Sequence, residues 1–201
     1  MAVVSGGTTL IDNGALDPAV PSGKLVLLST QTASASATID FTSGIDSTYD
    51  SYVFKFINCH PANNDVNFQF NLSTDGGSNY NVTKTTTRFT ALHSEADSPH
   101  ASLQYESTRD MAQSTVDKIL LNGVGNVSDE SCSGELILYN PSSTTFVKHF
   151  IARAVENRSD NTSEDAFAGG YANTTSAING VRFKFGSGNI DSGTIKMYGV
   201  A

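Results

Sequence analysis

The chain has 201 residues, of which 16% are charged, and its formal net charge is −8 from 12 basic and 20 acidic side chains. This length fits one β-sandwich or barrel domain with an appendage, and it is sufficient to bury a core without metal or disulfide staples. Lys and Arg are few and unclustered, so the sequence argues against binding to a phosphate backbone. It also contains no apolar run near the roughly 20 residues of a bilayer-spanning helix, and residues 1–14 (MAVVSGGTTLIDNG) lack the basic and apolar regions of a secretory signal.

The first 22 residues are predicted to form an extended arm outside the domain. Residues 1–22 contain three Gly and two Pro, with short apolar patches but no sustained period. We interpret this segment as an arm that docks onto a neighbouring subunit or another protein; a frayed tail is the alternative, since termini are common sites of disorder. The side chains expected to make the docking contact are Val3, Val4, Leu10, Ile11 and Leu16.

Residues 23–201 are predicted to form the β-domain, which begins with two strands. Residues 24–32 (KLVLLSTQT) form the first. Residues 33–41 then alternate apolar and polar side chains without interruption, from Ala33 to Phe41. Such a period of two is typical of a strand with one buried face.

The clearest alternation in the chain lies in residues 66–73 (VNFQFNLS), which predict a half-buried strand of an antiparallel sheet. Upstream, residues 52–57 place apolar side chains on both faces, which predicts a central strand. Residues 74–79 (TDGGSN) supply turn chemistry, because Gly allows positive φ and Asp and Asn bond their own backbone. The alternation is expected to resume after this turn at Tyr80 and Val82.

The pattern becomes irregular between Arg88 and Val127. Residues 101–105 are predicted to form a short strand, and residues 116–121 a second strand or a brief helix. Long excursions in a β-domain often carry function, so we expect exterior contact surfaces here. The candidate contact residues of this section are His93, Glu95, His100 and Arg109.

A hairpin follows, with strands at residues 134–140 and 146–155. The intervening Asn-Pro-Ser-Ser predicts the turn, since Pro pre-sets φ. Residues 156–165 (ENRSDNTSED) are then predicted to form an acidic exterior loop. Its candidate contact residues are Arg158, Asp160 and Glu164.

The last part of the chain predicts a glycine-weakened strand at residues 166–176, an alternating strand at 181–185 and a final strand at 194–200. The final strand is expected to tie the C-terminal end into the sheet. About nine or ten strands joined by short turns, without a helix, predict an all-β fold: an antiparallel two-sheet β-sandwich of jelly-roll type.

The two cysteines, Cys59 and Cys132, are interpreted as free thiols, because a protein made in a reducing cytoplasm keeps its thiols reduced. A disulfide between them is the alternative, which the sequence alone cannot establish.

No residue pattern predicts a cofactor or a catalytic centre. The spacing of His93 and His100 around Glu95 and Asp97 fits no structural zinc pattern. Carboxylates at loop corners are suited to calcium, but none reproduces the alternating acidic loop of a calcium-binding hand. Nucleophile-elbow and phosphate-binding glycine motifs are absent from the sequence. The absence of Trp argues against a sugar cleft, although Tyr can substitute. We therefore expect a non-enzymatic protein with neither metal nor cofactor.

Four stretches together carry a resemblance to a known group: residues 37–61, 69–87, 138–152 and the ending 187–201 (SGNIDSGTIKMYGVA). They resemble uncharacterised virion-associated structural proteins of tailed bacteriophages, especially marine ones, which often close on a GTIKLYG-like strand. The resemblance covers about four-fifths of the chain by residue span, and it brings no known catalytic residues with it.

The resemblance implies an exterior virion protein, either a capsid decoration protein or a head or tail fibre component, assembled in the host cytoplasm and anchored through its N-terminal arm. The implied partners are other virion proteins and further copies of the chain, commonly as a trimer; nucleic acid and membrane insertion are not expected. The alternative is a carbohydrate-binding adhesin that attaches the virion to a host-surface glycan, using exposed Tyr and calcium. A glycan hydrolase is a third, disfavoured interpretation.

Overall fold

A computed structural model of the chain describes residues 2–5, 7–12, 15–16, 25–98 and 101–200. Its regular structure is almost entirely β, as the alternating sequence predicts. The one helical element in these ranges is the 3₁₀ turn Ser107–Arg109, so no described helix is long and apolar enough to cross a membrane.

The N-terminal segment forms a small antiparallel sheet instead of an extended arm. Its strands follow the order β1-β2-β3. They are β1 (Val3–Ser5), β2 (Thr8–Asp12) and β3 (Ala15–Leu16). The prediction of an extended conformation is therefore wrong, because Gly7 takes a left-handed φ of 84° and turns the chain back on itself. The predicted boundary between residues 22 and 23 lies outside the described residues.

The domain is a sandwich of a nine-stranded and a four-stranded antiparallel sheet. The large sheet contains β4 (Leu25–Ser36), β6 (Ser51–Pro61), β8 (Lys84–Ser94), β9 (Ala101–Tyr105), β10 (Met111–Ser114), β12 (Cys132–Tyr139), β13 (Lys148–Asn157), β14 (Thr162–Ala172) and β16 (Ile190–Val200). The small sheet contains β5 (Ile39–Phe41), β7 (Val66–Ser73), β11 (Lys118–Val124) and β15 (Gly180–Phe185).

The strand order of the large sheet is β10-β8-β14-β13-β12-β6-β16-β4, with β9 paired to β8 beside β10, and that of the small sheet is β11-β7-β15-β5. The all-β two-sheet prediction is confirmed, whereas this order does not establish the jelly-roll topology. The final strand is tied into the sheet as predicted, because β16 lies between β6 and β4.

An aromatic cluster fills the space between the sheets. Phe183 of β15 lies at its centre, stacked on Phe68 with ring centroids 6.0 Å apart and tilted against Phe54 at 5.8 Å. Phe56 reaches Phe68 across the sandwich at 5.0 Å. These rings come from inward positions of strands with a period of two, so one face of each strand builds the core.

Four local predictions are wrong, each for an identifiable reason. Residues 33–41 are not one strand, because Ala35 takes a left-handed φ of 49° and β4 ends at Ser36. Residues 80–83 are not part of a strand, and β8 begins at Lys84. The section after Arg88 is less irregular than predicted, since it contains the long strand β8. The predicted acidic loop at 156–165 is largely strand, with only residues 158–161 between β13 and β14.

Candidate functional site

The outer face of the large sheet, which points away from the small sheet, is unusually apolar. Period-two alternation gives each strand an outward set of side chains, and many of these are large and apolar here. The exposed members include Leu27, Ile57, Phe89, Leu103, Tyr105, Ile151 and Val155. We call this surface the outer face. Exposed apolar side chains gathered on one face usually mark an interaction site.

A row of outward side chains crosses the outer face at right angles to the strands. The strand register aligns, in order, Tyr105, Phe89, Phe167, Arg153, Glu135, Lys55 and Lys196. We call this set the central row. It changes from aromatic residues at the β9 end to charged residues of both signs in the middle and at the β16 side.

Specific contacts order the central row. The rings of Phe89 and Phe167 are stacked with centroids 4.8 Å apart and planes 4° apart. The Arg153 guanidinium lies 4.9 Å from the centroid of Phe167 and also donates to Asp165 at 2.8 and 3.2 Å. These hydrogen bonds raise the pKa of Arg153, which therefore stays cationic. Lys55 and Glu135 pair at 3.6 Å.

Two grooves flank the central row, one on each side. The larger, of about 450 Å³, has Ile137, Ile151 and Gly169 in its lining. The other, of about 400 Å³, includes Ile57 and Val155. Both grooves include Glu135 and Arg153, which form the ridge between them. The outer face therefore offers two mainly apolar depressions separated by one charged ridge.

The inward side of the same sheet holds a second group of charged residues, at the end near β11. The Arg88 side chain is fully buried and donates to Glu106 at 3.1 Å, to Glu164 and to the Leu120 carbonyl at 3.3 Å. Arg158 donates to the other oxygen of Glu164 at 2.8 Å. We call this set the buried ionic cluster. Its carboxylates and guanidiniums neutralise each other, as buried charges must.

Small side chains make room for Arg88. The register aligns Arg88 with Ala168 of β14 and Ala152 of β13, and these alanines lie on the inner face. Two larger side chains at these positions would occupy the space that the guanidinium fills. The alanines of β13 and β14 are therefore part of the same arrangement as the charge.

Among the described acids at this end, Glu156 is the one whose ionisation the structure opposes. It pairs with Glu164 across β13 and β14, and it is only 4% exposed. Burial, and then the neighbouring Glu164 carboxylate, raise the pKa of Glu156 to about 8. Its Oε1 accepts from the Asn122 amide at 3.2 Å, while Oε2 has no hydrogen-bond partner among the described residues. Burial and the Glu164 carboxylate therefore favour the protonated form of Glu156 at neutral pH.

The predicted exterior contact residues separate into two groups. His93 and Glu95 are exposed at the β8 end, where His93 lies 3.2 Å from Asp97; His100 lies outside the described residues. The others belong to the buried ionic cluster or adjoin it: Glu164 is 2% exposed, so its prediction as an exterior contact is wrong. Arg158 is mostly buried and holds Asp160 at 3.4 Å, and Arg109 donates to Asn122 at 2.6 Å.

The predicted arm residues occupy the small N-terminal sheet. Val3 and Val4 lie on β1 and are 45% and 57% exposed. Leu10 and Ile11 lie on β2, and Leu16 lies on β3. The docking role of these residues stays a prediction.

The two cysteines are free and buried, and they lie directly opposite each other on β6 and β12. Burial raises the pKa of Cys59 to about 12 and moves that of Cys132 well above its usual value. Both thiols are therefore protonated and shielded at neutral pH, as the free-thiol interpretation predicts.

Two of the carboxylates considered for calcium are engaged within the protein. Asp40 takes a bidentate contact from Arg182 at 2.7 and 2.8 Å, and Glu130 accepts from the Val127 amide at 2.7 Å. Within the described ranges, no group of three or more His, Cys, Asp or Glu side chains is placed to hold a metal ion. The geometry thus offers structural ion pairs and an exposed binding face.

Sequence reasoning missed both the outer face and the buried ionic cluster. One signal for the outer face was present: residues 146–155 place apolar side chains on both faces of a strand, which is more than a one-sided core requires. The buried ionic cluster gives no such signal, because the sequence pattern does not distinguish a buried Arg or Glu from an exposed one. Comparisons with protein-family models, with curated proteins and with solved structures found no match for the chain.

Proposed function

We propose that this chain is a non-enzymatic structural protein on the exterior of a bacteriophage particle, a capsid decoration protein or a head or tail fibre component. The apolar outer face is the observation that supports this role best, because a rigid sheet with a large uncovered contact surface suits assembly with other proteins. The carboxylates and guanidiniums of the buried ionic cluster are paired, and three buried lysines, Lys84, Lys118 and Lys148, donate to oxygens of the protein. They support a structural function better than acid–base chemistry.

Particle association is tested with the untruncated protein. Bacteriophage particles are purified from a lysate of the bacterial culture in which the gene for this chain is expressed. The chain is then located on the particles by immunogold electron microscopy. We expect label on the particle exterior, spread over the head for a decoration protein or confined to one vertex or the tail for a fibre component. Purified particles without the chain would refute the proposal.

The docking role of the N-terminal segment is tested on the same particles. A variant lacking residues 1–22 should retain the circular dichroism spectrum of the sandwich and lose its place on the particle. Incorporation at the normal level would show that another surface makes the attachment.

A second candidate function is an adhesin for host-surface glycan, and one observation favours it. Phe89 and Arg153 line the groove of about 450 Å³, and the exposed Tyr105 is paired with Phe89 in the register, so an aromatic ring and a hydrogen-bonding group border one cavity with a second ring beside it. A glycan array probed with the wild-type chain and with a Phe89→Ala, Tyr105→Ala variant tests it. Saturable binding that the variant loses would support the adhesin, and an array without binding would remove it.

A further inference from the structure

We propose that the outer face is an interface between two copies of this chain, packed face to face about a two-fold axis that runs parallel to the strands between β12 and β13. This inference deepens the proposed structural role, on which its biological meaning rests, by naming a second copy as the partner.

The outer face is large enough for a stable dimer. The main path of the sheet has eight strands, which at about 4.8 Å spacing gives a width of about 34 Å. The strands β6 and β14 have 11 residues each, or about 35 Å in length at 3.3 Å per residue. A face of these dimensions has an area of about 1,200 Å², which exceeds the roughly 800 Å² per partner that a standard interface buries.

The charge order of the central row selects the direction of the axis. In a face-to-face dimer the two-fold axis lies in the plane of the interface. An axis parallel to the strands between β12 and β13 reverses the central row, so each Arg153 faces the second copy's Glu135. An axis along the row would instead place Arg153 on Arg153 and Glu135 on Glu135, and like charges in contact disfavour association.

The same operation places Lys55 opposite Phe167 and Lys196 opposite Phe89 in the central row, and isoleucine opposite isoleucine in the neighbouring row. Lys55 faces the edge of Phe167 of the second copy, next to Asp165, so its apolar stem meets the ring and its ammonium lies near a carboxylate. In the adjacent row, Ile151 and Ile137 are paired in the register, so Ile151 of each copy faces Ile137 of the other. Apolar side chains thus meet apolar side chains in the adjacent row, while Arg153 meets Glu135 in the central row. The strands of the two copies run nearly parallel, as in aligned packing of twisted sheets.

A second copy fits this face better than a sugar or a uniformly charged partner. One face of the Phe167 ring is stacked on Phe89 and the other is covered by Arg153, so Phe167 offers no free platform for a sugar. Arg153 and Glu135 carry opposite charges side by side on the ridge, so a partner of a single charge sign meets repulsion from one of them as well as attraction from the other. A copy of the same row, reversed, supplies the complementary order.

The test uses two charge reversals in the full-length chain, Arg153→Glu and Glu135→Arg. Either variant alone places like charges in both symmetry-related contacts, so we expect its dissociation constant to rise by at least about 100-fold. In an equimolar mixture, the carboxylate introduced in one variant faces the guanidinium introduced in the other, and the native Glu135 of the first faces the native Arg153 of the second. Both contacts are then between opposite charges, so the mixture should form a heterodimer with an affinity near that of the wild type.

Analytical ultracentrifugation measures the masses of these species, and circular dichroism confirms that each variant is folded. Asp129→Lys, in an exposed turn and outside the central row and the lining of both grooves, is the matched control and should remain dimeric.

Each other outcome overturns the proposal. Interfaces of standard size hold their partners together with dissociation constants below about 100 μM. A wild-type chain that stays monomeric at this concentration would therefore exclude the interface. A trimer would exclude the two-fold axis, and dimers that neither reversal weakens would place the contact elsewhere. Variants that do not recover on mixing would exclude this axis position. If a reversal fails to fold, Ile151→Lys replaces it, since this exposed side chain should likewise abolish the dimer. Oligomeric state is measured without particles, so its result is independent of whether the chain belongs to a virion.

Discussion

Replacement of Glu156 by Gln should remove a pH-dependent loss of stability. The pKa of Glu156 is raised from 4.5 to about 8 in the folded protein. A carboxyl with a raised folded pKa favours the folded state most below its unfolded pKa, and this contribution is lost as pH rises from about 4.5 to about 8. The loss in the free energy of unfolding, at 1.36 kcal/mol per pH unit, is about 3 kcal/mol between pH 4.5 and pH 7.

Gln has the shape of the protonated acid, and its Oε1 still accepts from the Asn122 amide. The buried amide group of Gln also changes the free energy of unfolding, by an amount that does not depend on pH. The difference in the free energy of unfolding between Glu156→Gln and the wild type should therefore grow in favour of the variant by about 3 kcal/mol from pH 4.5 to pH 7, and level off above about pH 8.

Urea unfolding followed by circular dichroism at pH 4.5 to 9 measures this difference. The exposed Glu95→Gln is the matched control and should follow the wild-type profile. Glu164→Gln should lose stability instead, by about 3 kcal/mol or more at neutral pH, because it leaves Arg88 and Arg158 partly unpaired. Parallel pH profiles for Glu156→Gln and the wild type would refute the assignment of Glu156 as a buried neutral acid.

Two further predictions concern glycine packing and thiol reactivity. Gly170→Ala should lower the free energy of unfolding by about 2 kcal/mol or more, because its Cβ would collide with the Thr85 carbonyl oxygen. Gly169→Ala should cost much less, because the atom nearest to its Cβ would be 3.9 Å away. Equal urea midpoints for the two variants would contradict this packing. The thiol of Cys59 should react with iodoacetamide at pH 8 at least about 100-fold more slowly than in urea, because little of it is thiolate. Mass spectrometry would count the labels on Cys59 and Cys132, and rapid double labelling of the folded chain would contradict their burial.

The sequence predicts best those strands whose inward side chains are apolar. Residues 66–73 form β7 as their alternation indicates, and the hairpin around Pro141 joins two strands as predicted. The strand β8 was hidden for a physical reason: its inward positions include Lys84, Arg88 and Thr90, which are buried. A pattern search reads such a strand as irregular, because hydrophobic periodicity detects burial only where burial is apolar.

The candidate site was less accessible to prediction. Arg158 and Glu164 were placed in an exterior loop because charged residues are usually exposed. Their ion pair, and the burial of Glu164, depend on Arg88, which lies 76 residues from Glu164 along the chain. The central row likewise exists only through strand pairings between distant segments, and no single segment of sequence encodes that register.

The position of β4 has a consequence for biosynthesis. Among the described strands of the large sheet, β4 pairs with β16 alone, and β16 is the last strand in the described chain. At roughly 5–20 residues per second, β4 waits about 10–30 s between its own synthesis and that of β16. Throughout this interval the segment that becomes β4 has no strand to pair with, and it carries Leu25 and Leu27, which stay exposed even in the folded protein. High-level expression should therefore produce aggregates seeded by nascent β4, and slower synthesis at lower temperature should reduce them.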